Sequence, residues 1–222
     1  MPEVLQRLMR SPQGALGLIL VGLVLLTAMV GPWIAPHDPE AISPLHRYQS
    51  PGAEFWLGTD QYGRDIFSRL LVGARSTVLM AVAASLLGAL AGALIGTTAA
   101  FLGGRGDEAL MRTLDAMMSI PSLLMAMLVV TLLGKSSLHA LLAIGVAFTP
   151  GMARVTRSVA LTIRKQDYVQ SALARGESSH YIVWHEMLPN VAAPIVVEMT
   201  IRVAFAVMLF ATLSFYDVDA AE

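Results

Sequence analysis

An all-α bundle of membrane-spanning helices is the fold this sequence predicts, and three observations predict it. Hydrophobic residues fill 55% of the 222 positions and charged residues only 14%, where an ordinary soluble domain is about 25% charged. Mean hydropathy is +0.64. Uncharged apolar runs of the length a bilayer demands, roughly 17–25 residues, recur along the chain, and the basic residues between them are unevenly shared. The same composition bounds function. A formal net charge of −1 offers no basic field for nucleic acid. The absence of cysteine removes disulfides, thiolate metal sites and cysteine nucleophiles together.

Five runs are candidate spans: residues 14–35, 76–104, 116–134, 136–153 and about 187–215. The first follows Arg7 and Arg10 and is long for a secretory signal, without a small-x-small cleavage pattern, so it reads as an uncleaved signal anchor. The second is the longest, and its helix is expected to tilt or to extend beyond the membrane. The fifth contains Glu198 and Arg202. Four apart on a helix, they share one face, and neither charge belongs alone at mid-bilayer, so they are expected to pair or to line a water-filled translocation path.

Lysine and arginine bias sets orientation. With the N-terminus inside, Arg7, Arg10, Arg105, Arg112, Arg154, Arg157, Arg164, Lys165 and Arg175 fall on the cytoplasmic side, and Arg47, Arg64, Arg69, Arg75 and Lys135 outside. Residues 36–75, with prolines at 36, 39, 44 and 51, then form an external loop. The organisation expected is a signal-anchor span plus external loop over 1–75 and a transmembrane domain over 76–222. Within the second run Ala84, Gly88, Gly92 and Gly96 recur every four residues and make a close-packing seam, either within the chain or against a second subunit. Prolines 121, 150, 189 and 194 sit at or near span ends, where kinks are expected.

Catalytic apparatus is missing from the sequence. It has no GxxxxGK[ST] phosphate loop, no HExxH and no GxSxG. His180 and His185 point to different helix faces and lack carboxylate support for a metal. The "RGD" at Arg105–Asp107 reads as a Gly-rich connector. Any energy source is therefore borrowed or comes from an ion gradient.

The segment "DYVQSALARGESSHYIVWHEMLP" interrupts the apolar pattern from Asp167 to Pro189. Helix formers run to Arg175, Gly176 supplies a permissive turn, and 179–186 offers a second short helix before Leu188-Pro189 begins the next span. Two uses are open to such a cytoplasmic helix–turn–helix. It can rest on lipid headgroups through Tyr168, Tyr181 and Trp184, or it can dock a partner.

At this point the sequence resembles a known family, the inner-membrane permease subunits of ABC importers. Their cytoplasmic "EAA" loop reads Glu-Ala-Ala-x3-Gly with Leu-Pro at a fixed interval. Here the positions hold Gln170-Ser171-Ala172, Gly176 and Leu188-Pro189. The blocks "LGTDQYGRDIFSRLLVGAR" (57–75), "FLGGRGDEALMRTLDAMMSIPSLLMA" (101–126) and "QDYVQSALARGESSHYIVWHEMLPNVAAPIV" (166–196) are similar to the dipeptide/oligopeptide/nickel branch, and to its second, "C"-type permease.

The resemblance implies a permease that moves small peptides or a nickel chelate by alternating access. Its partners would be a homologous permease subunit, two cytoplasmic ATPase subunits that use the ATP, an external substrate-binding protein and membrane lipid, with no nucleic acid and no cofactor in this chain. It also implies that residues about 164–188 form the coupling loop, with Gln170, Ser171, Ala172 and Gly176 at the ATPase contact and Leu188 and Pro189 marking the return into the membrane. Gln170 and Ser171 replace the family's glutamate and first alanine, and Glu186 occupies an often apolar position. The family continues past Ser214-Phe215 into a sixth span, whereas "ATLSFYDVDAAE" ends this sequence. A form lacking the last helix, with its tail outside, is the expectation there. Two rival classes are a gradient-driven secondary transporter, which would show repeats and broken helices, and a membrane-embedded enzyme, for which Glu198 and Arg202 would be the suspicious pair.

Overall fold

The computed structural model describes residues 11–134 and 136–218. Arg7, Arg10, Lys135 and the acidic end Asp219–Glu222 lie outside the described residues. The described chain is helical, its one β feature an isolated bridge between Thr59 and Asp65. It divides into two compact units, residues 1–79 and 80–222, with the boundary inside a long helix.

In the first unit, α1 (Pro12–Ile34) starts where Ser11 caps it, its hydroxyl accepting from the Gly14 N–H, with Pro12 in the first turn. Its side chains are mostly exposed, as a lipid-facing helix requires. Ala28 and Gly31 are the buried exceptions. A Cβ at Gly31 would sit 2.6 Å from the Leu71 carbonyl oxygen, so only glycine lets α1 approach α2 (Ile66–Leu102) so closely.

The loop between them is ordered. A short 3-10 turn (Pro44–His46) leads into backbone bonds from the Ser43 N–H to Tyr62 O, Tyr48 N–H to Asp60 O and Ile66 N–H to Gly58 O. Asp65 anchors the loop from inside. Its carboxylate accepts from the Ser68 N–H at 3.1 Å, the Ser68 hydroxyl at 2.6 Å and the His37 ring at 3.2 Å. Burial pushes the Asp65 carboxyl up, but those bonds outweigh it and leave its pKa below the ordinary aspartate range. Phe55 closes the core of the loop against the rings of His37 and His46.

In the second unit, α3 (Gly104–Met118) and α4 (Ser122–Leu133) follow α2, then α5 (Ser137–Ile163), α6 (Asp167–Ala174), α7 (Ser179–Tyr181), a π-helical turn (Ile182–Met187) and α8 (Leu188–Val218). Four helices, α1, α2, α5 and the run through α7 to Ser214, are long and apolar enough to cross a membrane. The expected third span at 116–134 is corrected here. It is two helices, α3 and α4, bent by 85° about Ser119–Pro121, and only as a broken pair do they bring the number of spans to five. The cause is local. Pro121 has no N–H to continue α3 and disfavours helical geometry at Ile120, while the 12 residues of α4 rise only about 18 Å.

The glycine stripe of α2 packs within the chain. A Cβ at Gly88 would meet the Gly145 carbonyl and Phe148 at 2.9 Å, one at Gly92 the Ala153 nitrogen at 2.7 Å, and one at Gly96 the Arg157 nitrogen at 2.9 Å. All these neighbours lie on α5, so the seam is an α2–α5 contact at backbone distance. Two apolar clusters flank it. One joins Ala81, Ala84, Ala126, Ile144, Phe148 and Ala206. The other joins Ala100, Ala160, Val169, Ala172, Ile182, Met187 and Val191.

Candidate functional site: the 164–188 loop and the Glu198–Arg202 pair

The polar insert folds as a helix, a turn and a return. α6 ends at Ala174 in a Schellman arrangement, in which the Gly176 N–H donates to Leu173 O at 3.0 Å and the Glu177 N–H to Ala172 O at 3.2 Å. Gly176 adopts φ +77°, and no atom lies within 4 Å of where its Cβ would be. The demand for glycine there is therefore one of backbone conformation alone.

The second half differs from expectation. In place of a separate short helix at 179–186, α7 runs through the π turn directly into α8. Pro189 gives the reason, because its ring crowds the carbonyl of His185 four residues back, and a wider turn just before it relieves that crowding. The carbonyl of Glu186 takes a bond from the Asn190 side chain at 2.6 Å. The histidines are absorbed into ring contacts, His185 stacked on Tyr181 at 4.7 Å and His180 against Trp184 at 5.8 Å. Burial, with the Glu186 charge adding to it, raises the Tyr168 pKa.

The motif residues do not share one surface. Gln170, Ser171, Gly176 and Pro189 are exposed and Leu188 is half-buried. Ala172 is fully buried with Val169, against Ala100 of α2, Ala160 of α5 and Ile182 of the π turn. A small side chain is required there by packing.

The "RGD" stretch is likewise not a connector. The connection is made by Gly103 and Gly104, both at positive φ, and Arg105–Asp107 forms the first turn of α3. Asp107 is buried and holds Arg157 of α5 with both carboxylate oxygens. A second pair joins Arg154 to Asp115. Tripeptide composition suggests a loop, but the partner stands 50 residues away in sequence, where no local pattern reaches.

Glu198 and Arg202 do pair. Arg202 Nε and Nη2 lie 3.0 and 2.9 Å from the same Glu198 oxygen, both residues being about three-quarters buried. The guanidinium lies 5.5 Å over the Phe148 ring and rests against Gly151, where a Cβ would be 2.7 Å from Nη2. It opens on a cavity of about 300 Å³ lined by Ser122, Phe148, Arg202, Phe205, Leu209 and Thr212 among others. The cavity is open-sided, with Phe205 and Met208 exposed along it, and Ser122, just past the α3–α4 break, lines it together with Arg202 and Thr212.

Residues 88–218, which hold the seam, the loop and the ion pair, match the family model of the binding-protein-dependent transport system inner membrane component. Residues 2–51 match the N-terminal transmembrane domain of oligopeptide transport permease C. The chain is 38% identical over 213 residues to the probable D,D-dipeptide transport system permease protein DdpC of Escherichia coli K12, covering 96% of this chain and 71% of that protein. It is 33% identical over 218 residues to the dipeptide transport system permease protein DppC of Alkalihalophilus pseudofirmus, covering 98% and 72%. It is also 33% identical to the oligopeptide transport system permease protein OppC of Bacillus subtilis, covering 96% and 70%. Over nearly its whole length, then, the chain belongs to the inner-membrane components of binding-protein-dependent transport systems, as a multi-pass permease of the peptide-transport branch.

Proposed function

We propose that the chain forms half of the transmembrane path of an ATP-driven importer whose cargo is a small peptide. A homologous permease would complete the path, two cytoplasmic ATPase subunits would bind and hydrolyse the nucleotide, and an external binding protein would deliver cargo. The relatives' names support peptide as cargo, and nothing in them favours a nickel chelate. The observation that carries the coupling role is the 164–188 segment. It stands at the motif position, is anchored inward by Ala172, turns at Gly176, and continues through Leu188 and Pro189 into the long apolar helix α8, which would be the return into the membrane. Residues 1–75 would then be anchor and outer loop, and 76–222 the permease domain.

Glu198 and Arg202 are proposed to border the translocation path. A paired cation and anion on a cavity carry no net charge, so they can exchange partners with the two termini of a zwitterionic peptide without trapping it. The deciding experiment is reconstitution of the chain with its partner subunits in proteoliposomes. ATP-dependent uptake of labelled alanyl-alanine is expected, and it should fall in Arg202→Gln while assembly persists. Absence of uptake in the wild type would remove the peptide reading. Normal uptake in both Arg202→Gln and Glu198→Gln would remove the path assignment.

A further inference from the structure

The replacement of the motif's glutamate by Gln170 is not explained by family membership. The structure shows what the amide does. Gln170 Nε2 donates to the carbonyl oxygen of Arg164 at 2.8 Å. Arg164 is the C-cap of α5, so its carbonyl has no partner within that helix. An amide can supply the missing donor, whereas a carboxylate ionised at neutral pH only accepts and would be repelled.

Arg164 also reaches the opposite way. Its Nη1 donates at 3.1 Å to Ala100 O in the last turn of α2, and the guanidinium stands 6.0 Å above the Phe101 ring. It fits against Gly103, where a Cβ would lie 2.9 Å from Nη1. A cation is well placed at the carbonyl end of a helix. One residue thus ties the end of α2, through its side chain, to α6, through its main chain. The turns of α5 just before it are pinned to α3 by Arg157 with Asp107 and Arg154 with Asp115.

We propose that Arg164 and Gln170 form a latch that sets the angle of α6 on the cytoplasmic ends of α2 and α5, making Gln170 a positioning residue for coupling and not an ATPase contact. The proposal rests on reading 164–188 as the coupling loop. It runs against the motif, because restoring the family's glutamate at 170 should harm coupling.

The chain has no cysteine, so Ser171→Cys and Ala109→Cys, both at exposed positions, give unique spin-label sites on α6 and α3 in the assembled complex. A single narrow distance distribution is expected for the parent, and a broadened or shifted one for Gln170→Glu and Gln170→Ala. An unchanged distribution in Gln170→Glu overturns the latch, whatever the cargo. In proteoliposomes, alanyl-alanine taken up per ATP hydrolysed should fall about fivefold in Gln170→Glu, the factor one neutral hydrogen bond supports. Arg164→Met should fall similarly, and the double variant should lie within about twofold of the worse single one, as for two parts of one device. Co-purification of the ATPase subunits with the chain, and the thermal stability of the complex, should be retained in these variants, which a plain folding defect would not allow. Equal or higher uptake per ATP in Gln170→Glu overturns the proposal. If the parent complex takes up no alanyl-alanine, the peptide reading fails, and the distance distributions alone decide the latch.

Discussion

The two polar segments of this chain, the loop at 36–65 and the loop at 164–188, are ordered by opposite means. The first is organised around a buried carboxylate. Asp65 gathers the Ser68 hydroxyl and N–H and the His37 ring, while Asp60 holds the N–H groups of Tyr62 and Arg64 and the Arg64 side chain. The second is organised around apolar side chains, Val169 and Ala172 packing on Ala100, Ala160, Ile182 and Met187, with a single glycine turn and a π turn at its edges. Charged hydrogen bonds are directional and fix one geometry. A small apolar face bounded by turns can move as a unit, which suits a segment proposed to transmit movement.

The sharpest way to break the comparison is at the carboxylate. Asp65→Ala leaves the buried donors of Ser68 without their acceptor and releases the half-buried His37 ring, and bonds to a charged group contribute about 1.5–3 kcal/mol each. Rapid proteolysis of the 36–65 loop is expected, with the 164–188 loop as protected as before. Equal loss of protection in both loops would show that they are not ordered independently.

Ala172→Leu tests the other loop in its own terms. The site is fully buried, and an overpacked core costs typically about 1–3 kcal/mol. Hydrogen exchange should speed up across 167–187 and stay unchanged across 36–65. Ala172→Ser, nearly isosteric, should do much less.

A smaller effect is expected at the turn. Gly176→Val forces a β-branched residue to φ +77°, at a cost of about 1–2 kcal/mol. Gly176→Asn, which tolerates that region, should lose only part of it. Because nothing crowds the missing Cβ, the order Gly, Asn, Ala, Val should hold for ATP-driven uptake with insertion into the membrane intact. Ala as harmful as Val would point to a contact instead of a backbone demand.

How legible these features are in the sequence depends on their range. The apolar runs, the glycine stripe, the polar insert and its turn at Gly176 are local patterns, and each is visible because period, length or a single permissive residue carries the signal. The break at Ser119–Pro121 is hidden inside an apolar run, since hydropathy is blind to a missing N–H. Asp107 looks like part of a connector because its partner, Arg157, comes from another helix. The π turn and the bond from Gln170 to Arg164 O arise only when Pro189 and the end of α5 are placed in space. Motif spacing locates the 164–188 loop, but it cannot say that Ala172 faces inward while Gln170 bonds back to its own chain.

The mildest test of the comparison is pH. At Asp60, as at Asp65, burial pushes the carboxyl up and is outweighed, here by the N–H groups of Arg64 and Tyr62 and by the Arg64 side chain, so both folded-state pKa values lie below the unfolded value. A depressed carboxylate contributes its full stabilisation above the unfolded aspartate value, about 3.9, and loses it as pH falls through the lower folded value. The 36–65 loop should therefore hold its structure from neutral pH down to about 4 and loosen below that, with no change on the alkaline side. Trp56, which packs 4.9 Å from Phe67 in this unit, reports the loop once Trp33 and Trp184 are replaced by phenylalanine. Its emission should shift with acid in the parent, shift less over the same range in Asp65→Asn, which keeps only Asp60 of the two titrating carboxylates, and be insensitive when Asp60→Asn is added. The 164–188 loop, held mainly by apolar contacts, should show no matching transition in the spin-label distances. A shared acid transition in both segments would mean that the carboxylates support the second loop as well, and the contrast between the two modes of order would fail.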